Sequence, residues 1–239
     1  MSIKENYLKI RREIPGHVQV VLAAKMKTSE EIKEAIDAGA TIIGENYVQE
    51  AEKIYEALGE KAKKVKWQMI GPLQKNKINK AVKIFDCIQT IDSAELADAI
   101  DKRAEGIKKE IPVFIEINIG SEMTKAGIKP EYRMVEKLAL HISGLFYLKL
   151  EGLMTIGPRI GNPEEVRPYF KKTKEIFDKL QGAGIPNTDL KYLSMGMSNS
   201  YKIAIEEGAN IIRLGTIIFG PRKCDLKNYQ NEIKNKVVD

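Results

Sequence analysis

Residues 18–54, VQVVLAAKMKTSEEIKEAIDAGATIIGENYVQEAEKI, alternate between two local patterns. An apolar run of strand length at 18–24 is followed by SEEIKEAIDAG, which has apolar residues at helical spacing, begins with a serine and closes on a glycine. The next segment, TIIGENY, returns to a strand pattern before a second helical segment. Strand, helix, strand and helix in this order predict parallel strands that are joined by helices.

The same alternation continues to the end of the chain. A helix over about 2–14 precedes eight predicted strands, which lie near 18–24, 40–43, 66–70, 84–90, 112–118, 147–154, 190–195 and 210–214. Eight parallel strands alternating with helices can close into a barrel, whereas a doubly wound sheet has fewer strands and a Gly-rich phosphate turn after the first. Neither GxGxxG nor GxxxxGK[ST] occurs, and no linker or low-complexity segment divides the chain. The sequence therefore predicts an α/β protein with a single domain over 1–239, a TIM (β/α)8 barrel with an extra N-terminal helix.

Composition limits the function classes. Hydrophobic residues make up 43% and charged residues 30% of 239 residues, which is typical of a globular protein with a sizeable core. No apolar run has the length of a membrane span, and the charged N-terminal segment lacks the apolar centre of a signal peptide, so we expect a cytoplasmic protein. Cys87 and Cys224 form no CxxC pair and have no histidine nearby. We expect both to be reduced and structural, with no metal site.

The net charge of +6 raises the question of a nucleic-acid partner. The densest basic run, KAKKVK at 61–66, has no interleaved aromatic residues that could stack on bases. The other lysines are spread along predicted helix faces, where charged residues are usually solvated. The sequence therefore gives no support to nucleic-acid binding.

Catalytic and binding residues of TIM barrels lie at the C-terminal ends of the strands, and Lys25 directly follows the first predicted strand. A lysine after such an apolar run either extends to the solvated rim or reacts with a ligand. A desolvated lysine amine is a nucleophile towards aldehydes and can form a Schiff base. Lys25 by itself leaves both interpretations open.

Two segments after the seventh and eighth strands predict a phosphate site. SMGMSNS at 194–200 brings small residues and hydroxyls to a predicted helix start, where backbone N–H groups bind anions and Ser198 adds a hydroxyl. An ordinary serine N-cap is the alternative. RLGT at 213–216 supplies a cation, a glycine and a hydroxyl where barrels commonly bind phosphate. A lysine after strand one with this phosphate cradle is a layout suited to pyridoxal 5′-phosphate (PLP).

Five segments together resemble a known family. They are LAAKMKTSEEIKEAIDAGATIIGENYVQEAEKI, WQMIGPLQKNK, VFIEINIGSEMTKAGI, LEGLMTIG and YLSMGMSNSYKIAIEEGANIIRLGTIIFGPR. In this order they resemble the successive signature blocks of the pyridoxal phosphate homeostasis proteins, from about residue 21 to 222. Those proteins share their barrel with the N-terminal domain of alanine racemase.

The resemblance implies roles for individual residues around PLP. Lys25 would be the Schiff-base lysine, and Asn46 in GENY would lie near the rim of the cofactor. Met154 in the LMT block would pack near the cofactor, and Arg213 would face the pyridine nitrogen.

The resemblance also assigns the phosphate and a second lysine. Ser198, Gly215 and Thr216 would hold the phosphate. Lys125 in SEMTKAG matches a second lysine that the family has near the pocket, although a solvated loop lysine is an equally good interpretation.

The sequence departs from the family pattern at two places. The block usually written WHFIGHLQ reads WQMIGPLQ, with Gln68 for the histidine and Pro72 after the glycine, so an imidazole has no role at strand three. Met26 stands where threonine is common, and we expect it to make the neighbourhood of Lys25 more apolar.

The same residues bear on catalysis. Many PLP enzymes protonate the ring nitrogen with a carboxylate and so make the ring an electron sink, whereas an arginine can only donate to an unprotonated nitrogen. Alanine racemases also use a tyrosine from a C-terminal β domain and a partner subunit, and residues 223–239 are too few for such a domain. His17 and His141 are expected at the surface or in the core, outside any catalytic site.

We therefore expect a PLP-binding protein that buffers or carries the cofactor and has no catalytic residues. A weak PLP-dependent amino-acid racemase or related enzyme is the alternative. The expected partners are PLP and, as candidates, PLP-dependent apoenzymes, with no nucleic acid or membrane and a monomer or weak dimer as the assembly.

Overall fold

The computed structural model describes residues 2–120, 126–158 and 162–221. Its centre is a closed barrel of eight parallel strands in sequential order, in which the last strand pairs with the first. The strands are β1 Gln19–Ala23, β2 Ile42–Glu45, β3 Lys66–Met69, β4 Cys87–Ile91, β5 Ile111–Ile117, β6 Leu148–Thr155, β7 Thr188–Ser194 and β8 Ile211–Leu214. The predicted TIM barrel is confirmed, and each observed strand overlaps its predicted range.

Helices surround the barrel, and the first two begin at residues whose side chains cap them, Ser2 and Thr28. The helices are α1 Ile3–Glu13, α2 Ser29–Asp37, α3 Val48–Leu58, α4 Ile78–Ile84, α5 Ala94–Glu105, α6 Tyr132–Ser143, α7 Arg167–Gly182, α8 Tyr201–Glu206 and α9 Thr216–Phe219, with 3₁₀ turns at Gly59–Lys64, Lys75–Lys77 and Pro163–Val166. At the start of α2, Thr28 accepts from the Glu31 N–H while the Glu31 side chain accepts from the Thr28 N–H. This capping box satisfies two backbone donors and fixes where the helix begins.

The strands are buried on both faces, which is why the sequence shows continuous apolar runs instead of strict alternation. Val20 and Leu22 belong to the large core between strands and helices. The intervening Val21 packs inside the barrel with a separate cluster, whose other buried members are Ile42, Ile70, Cys87, Phe114, Met154 and Ile211. Burial raises the pKa of the Cys87 thiol, as expected for a structural cysteine. Cys224 lies outside the described residues.

The described segments contain no helix that is long and apolar enough to cross a membrane. Within the same segments, no three metal-binding side chains come together. His17 is exposed, and His141 on α6 is also at the surface, where its Nε2 lies 2.6 Å from Asp98 Oδ1. Both histidines are therefore surface residues.

Candidate functional site

A cavity of about 500 Å³ opens at the C-terminal ends of the strands. Its lining comes from the ends of β1 and β8 and from the segments that follow β1, β2, β3, β6, β7 and β8. Six residues predicted from the sequence line it together: Lys25, Asn46, Ser198, Arg213, Gly215 and Thr216. The seventh, Met154, is fully buried and does not line the cavity. It packs in the interior cluster with Ile70, which does line it.

Two lysines line the cavity, and their environments differ. The Nζ atom of Lys27 lies 3.1 Å from Glu31 Oε1 and 3.4 Å from the carbonyl oxygen of Phe219. The Nζ atom of Lys25 lies 5.1 Å from the ring centroid of Tyr47. In the described part of the chain, Lys25 forms no ion pair, so its amine is the one that a ligand can engage without breaking a salt bridge.

Met26 does not make this neighbourhood more apolar, contrary to the expectation from the sequence. Its φ of 60° places the backbone in the left-handed region, its side chain is 55% exposed, and it does not line the cavity. The Met26 N–H donates to Glu50 Oε2 at 3.1 Å, which ties the turn after β1 to α3.

The predicted phosphate segment takes a different form from the helix start expected at Ser198. Helix α8 begins only at Tyr201, and the Ser198 hydroxyl reaches across to the start of α9 instead. Ser198 Oγ accepts from the backbone N–H of Gly215 at 3.3 Å and of Ile217 at 3.4 Å. The two N–H donors therefore converge on one oxygen at the cavity wall. Convergent N–H groups of this kind bind anions.

Gly196 allows the chain to make the turn between β7 and this hydroxyl. Its φ is +91°, and a Cβ atom there would lie 2.5 Å from Ala204 Cβ. A side chain would therefore be strained by the backbone and would also collide with α8.

Arg213 is 4% exposed, yet it lines the cavity from its position near the end of β8. Its Nη1 donates to Ser194 Oγ and its Nη2 to the Thr155 carbonyl oxygen, both at 2.7 Å. Burial lowers the pKa of the guanidinium to about 10, and the neighbouring Glu116 partly offsets the shift. Arg213 thus remains a cation at neutral pH.

Two buried carboxyl groups were missed by the sequence reasoning. Burial raises the pKa of Glu116 on β5 to about 7, although the nearby Arg213 lowers it. Burial and the neighbouring Glu50 raise the pKa of Glu45 on β2 to about 8. Among the described residues, neither carboxyl oxygen of Glu45 nor Glu116 Oε2 has a partner within hydrogen-bond geometry, although the nearby Asn46 backbone N–H lowers the pKa of Glu45. A glutamate inside an apolar strand, as in VFIEINI, was the available signal.

Gly71, in the block that departs from the family pattern, supports Asn46. A Cβ atom at Gly71 would lie 2.6 Å from the Asn46 carbonyl oxygen and 2.7 Å from its Cα. The segments after β2 and β3 therefore approach so closely that only glycine fits, and this contact fixes Asn46 at the cavity wall. Lys125, the second lysine that the resemblance suggested, lies outside the described residues.

Comparisons with known proteins agree with this geometry. The sequence profile described as "Alanine racemase, N-terminal domain" matches residues 1–223. The pyridoxal phosphate homeostasis protein of Aquifex aeolicus is 44% identical over 201 residues, which are 84% of this chain and 86% of that protein. The Escherichia coli protein of the same name is 35% identical over 216 residues, which are 89% of each chain. The chain belongs to the pyridoxal phosphate homeostasis protein family.

Solved structures of similar fold include a relative with PLP bound. PipY of Synechococcus elongatus, solved with PLP bound, is 32% identical and has a TM-score of 0.83, covering 92% of this chain and 100% of PipY. Alanine racemase of Clostridium difficile is 18% identical with a TM-score of 0.77, covering 93% of this chain and 57% of the racemase. The second likeness shows a shared fold alone.

Proposed function

We propose that this protein binds PLP as a Schiff base on Lys25 and acts in intracellular PLP homeostasis as a buffer or carrier, without substantial catalysis. One observation carries the proposal. The Lys25 amine, the N–H groups at the start of α9 and the buried Arg213 guanidinium surround one cavity. Each group matches one part of PLP, namely the aldehyde, the phosphate and the ring nitrogen.

The donor set fits a phosphate. Ser198 Oγ already accepts from the Gly215 and Ile217 N–H groups, so a phosphate oxygen placed there would meet the same donors. The Thr216 residue lines the same wall and brings a hydroxyl group. The backbone donors can keep their positions while the Ser198 side chain turns to admit the anion, and the guanidinium supplies positive charge in the same cavity.

The amine and the cavity volume also fit. Bound PLP supplies an aldehyde that condenses with a primary amine, and Lys25 provides that amine at the end of β1. The Lys27 side chain is 10% exposed, and its amine forms an ion pair with Glu31. Lys27 is therefore the poorer nucleophile. A volume of about 500 Å³ lies within the range of small-molecule sites.

The charges at the cavity support a carrier more than an enzyme. Arg213 is always a donor, so a ring nitrogen facing it would stay unprotonated and the ring would be a weak electron sink. Among the described residues that line the cavity, none is a tyrosine, histidine, aspartate or glutamate. A racemase needs an acid or base on the face opposite the lysine. The weak-racemase alternative therefore rests on the shared fold.

The remaining parts of the proposal concern domain organisation, location, assembly and the recipients of the cofactor. We expect a single domain over 1–239, a cytoplasmic location, a monomer or weak dimer, and PLP-dependent apoenzymes as recipients of the cofactor. These follow from the sequence and stay predictions.

The decisive experiment mixes the purified protein with PLP, records near-visible absorbance, reduces with borohydride and maps the labelled peptide. We expect the label on Lys25. Incubation of the PLP-loaded protein with single L-amino acids, followed by assay of D-isomers and keto acids, tests the alternative. Turnover near 1 s⁻¹ or faster, an ordinary enzymatic rate, would replace the carrier by the enzyme.

A further inference from the structure

A chain of side-chain hydrogen bonds crosses the barrel interior from β8 to β3. Arg213 Nη1 donates to Ser194 Oγ, and Ser194 Oγ donates to Gln89 Oε1 at 2.7 Å. Gln89 Nε2 then donates to Gln68 Oε1. All four residues are buried, and only Arg213 lines the cavity.

We infer that Ser194, Gln89 and Gln68 are positioning residues, which fix the direction in which Arg213 presents its remaining N–H groups to the ring nitrogen of the ligand. This inference rests on the proposed PLP binding. It gives a role to three buried polar side chains that do not line the cavity.

The chemistry of the chain allows one arrangement of its hydrogens. A guanidinium only donates, so Ser194 Oγ must accept from it and must direct its own proton to another acceptor. Gln89 therefore has to present its carbonyl oxygen to Ser194 and its amide nitrogen to Gln68. Gln68 must present its oxygen in turn, so the arginine at one end sets the orientation of every amide in the chain.

The position of Arg213 is fixed at a second point. Its Nη2 donates to the Thr155 carbonyl oxygen at 2.7 Å, while the Thr155 hydroxyl donates to the Ile117 carbonyl oxygen at 2.8 Å. Because the guanidinium is planar and rigid, anchors on both terminal nitrogens define its plane. Only the Ser194 anchor is a side chain, so that is the anchor which substitution can remove.

Gln68 ends the chain at the place where the family block usually has a histidine. An amide has no titration near neutral pH, so it offers Gln89 an acceptor at every physiological pH. A protonated imidazole would carry donors on both nitrogens and could not accept from Gln89 Nε2. The departure at residue 68 is thus compatible with a chain that begins at a donor and must end at an acceptor.

The test uses two ligands that differ in one atom: PLP and an analogue whose ring nitrogen is replaced by C–H. Both keep the aldehyde and the phosphate, and their difference in aldehyde reactivity is the same in every variant, so a change in the ratio of their affinities between wild type and variant reports the contact at the ring nitrogen. We expect wild type to favour PLP by about ten- to a hundredfold, the span for a hydrogen bond from a charged donor. In Ser194→Ala and Gln89→Leu, the ratio should fall to within about threefold, because a misaligned donor no longer distinguishes the two ligands.

Thr173→Val is the matched control. Thr173 is fully buried, and its hydroxyl donates to the Tyr169 carbonyl oxygen within α7, so the variant loses a buried hydrogen bond outside the chain. Its affinity ratio should equal that of wild type. Ser194→Ala removes a single oxygen atom and provides the test if Gln89→Leu does not fold, as judged by circular dichroism.

The outcomes separate this inference from the proposed function. If the Ser194 and Gln89 variants bind both ligands more weakly but at the wild-type ratio, the chain only supports the barrel and the inference is wrong. A wild-type ratio near one overturns the inference while leaving PLP binding intact. Wild type that binds neither ligand overturns the proposed function itself.

Discussion

The interior of the barrel holds two neighbouring layers of opposite chemistry. Along four strands, an apolar residue or tyrosine is followed two positions later by a buried polar one, as the pairs Cys87 and Gln89, Phe114 and Glu116, Tyr192 and Ser194, and Ile211 and Arg213 show. Residues two apart on a strand face the same side, so each polar residue lies one layer closer to the C-terminal end. The lower layer fills the barrel, and the upper layer lies between it and the cavity, which Arg213 alone of these four polar residues lines.

The difference suggests a division of roles within one barrel: the lower layer stabilises the fold, and the upper layer serves binding. Apolar side chains in the lower layer contribute by removing surface from water. Polar side chains in the upper layer lose their hydrogen bonds to water and recover hydrogen bonding only through other partners. We therefore expect this layer to serve ligand binding more than stability. The four predictions below test this division, beginning with the largest effect.

Lys25→Ala should remove the borohydride-fixable label completely, because the only cavity amine without an ion pair in the described residues is lost. The free energy of unfolding should change little, since Lys25 is half-buried and packs in neither apolar cluster. Near-visible absorbance and mass spectrometry after reduction measure the first effect, and thermal unfolding measures the second. Lys27→Ala is the matched control and should keep the label. A wild-type level of label in Lys25→Ala would mean that another lysine is the nucleophile.

Phe114→Ala should destabilise the fold by about 3–5 kcal/mol, the usual cost of truncating a buried phenylalanine. Phe114 is 1% exposed in the lower layer, and its ring centroid lies 5.7 Å from that of Tyr192. Urea unfolding measures the loss. Phe146→Ala changes the same residue type at 88% exposure and should leave stability within about 0.5 kcal/mol of wild type. Unfolded protein in the Phe114→Ala sample lowers the apparent PLP affinity. A loss of affinity beyond that contribution would contradict the division into layers.

Glu116→Gln should flatten the pH dependence of stability. Burial raises the pKa of Glu116 to about 7, so the folded state keeps a proton that the unfolded state loses above its ordinary pKa. The contribution of Glu116 to stability should therefore fall as pH rises from about 4.5 to 7, by up to about 3 kcal/mol at 1.4 kcal/mol for each pKa unit, while Glu45 adds a fall of the same sign that the variant keeps. Arg213 lowers this pKa and Asp92 raises it, and neither changes the sign. Urea unfolding at pH 5 and pH 8 measures how the free energy of unfolding changes with pH. The same change in wild type and Glu116→Gln would show that Glu116 is ionised in the folded state.

Ser198→Ala should weaken PLP binding by about tenfold, because one hydroxyl is lost while the Gly215 and Ile217 N–H groups remain. Pyridoxal, which lacks the phosphate, should bind wild type and variant alike. Fluorescence titration of both ligands measures the effect. If pyridoxal bound wild type as tightly as PLP does, the phosphate would have to lie elsewhere.

The fold was predictable from the sequence because parallel strands buried on both faces leave long apolar runs, such as VQVVLAA before Lys25. The direction of the chain then brings the segment after every strand to the same end of the barrel. For this reason the sequence placed Lys25, Asn46 and Arg213 at one cavity although they lie far apart in the chain.

The start of α8 could not be predicted in the same way. A serine followed by helical residues usually caps its own helix, yet Ser198 Oγ accepts from the N–H groups of Gly215 and Ile217. That partnership depends on β7 and β8 lying side by side. Local preference predicted that Ser198 serves the start of α8, whereas its hydroxyl contacts the start of α9.

The sequence alone determined the architecture and the residues that could meet an aldehyde and a phosphate, because strand period and residue chemistry are local properties. Only the tertiary structure decided which of two cavity lysines is bound in a salt bridge, and that Gln68, Gln89 and Ser194 form one chain to Arg213. The physical reason is that a buried hydrogen bond depends on distance and direction between strands. Residues on four strands acquire that geometry only when the barrel closes.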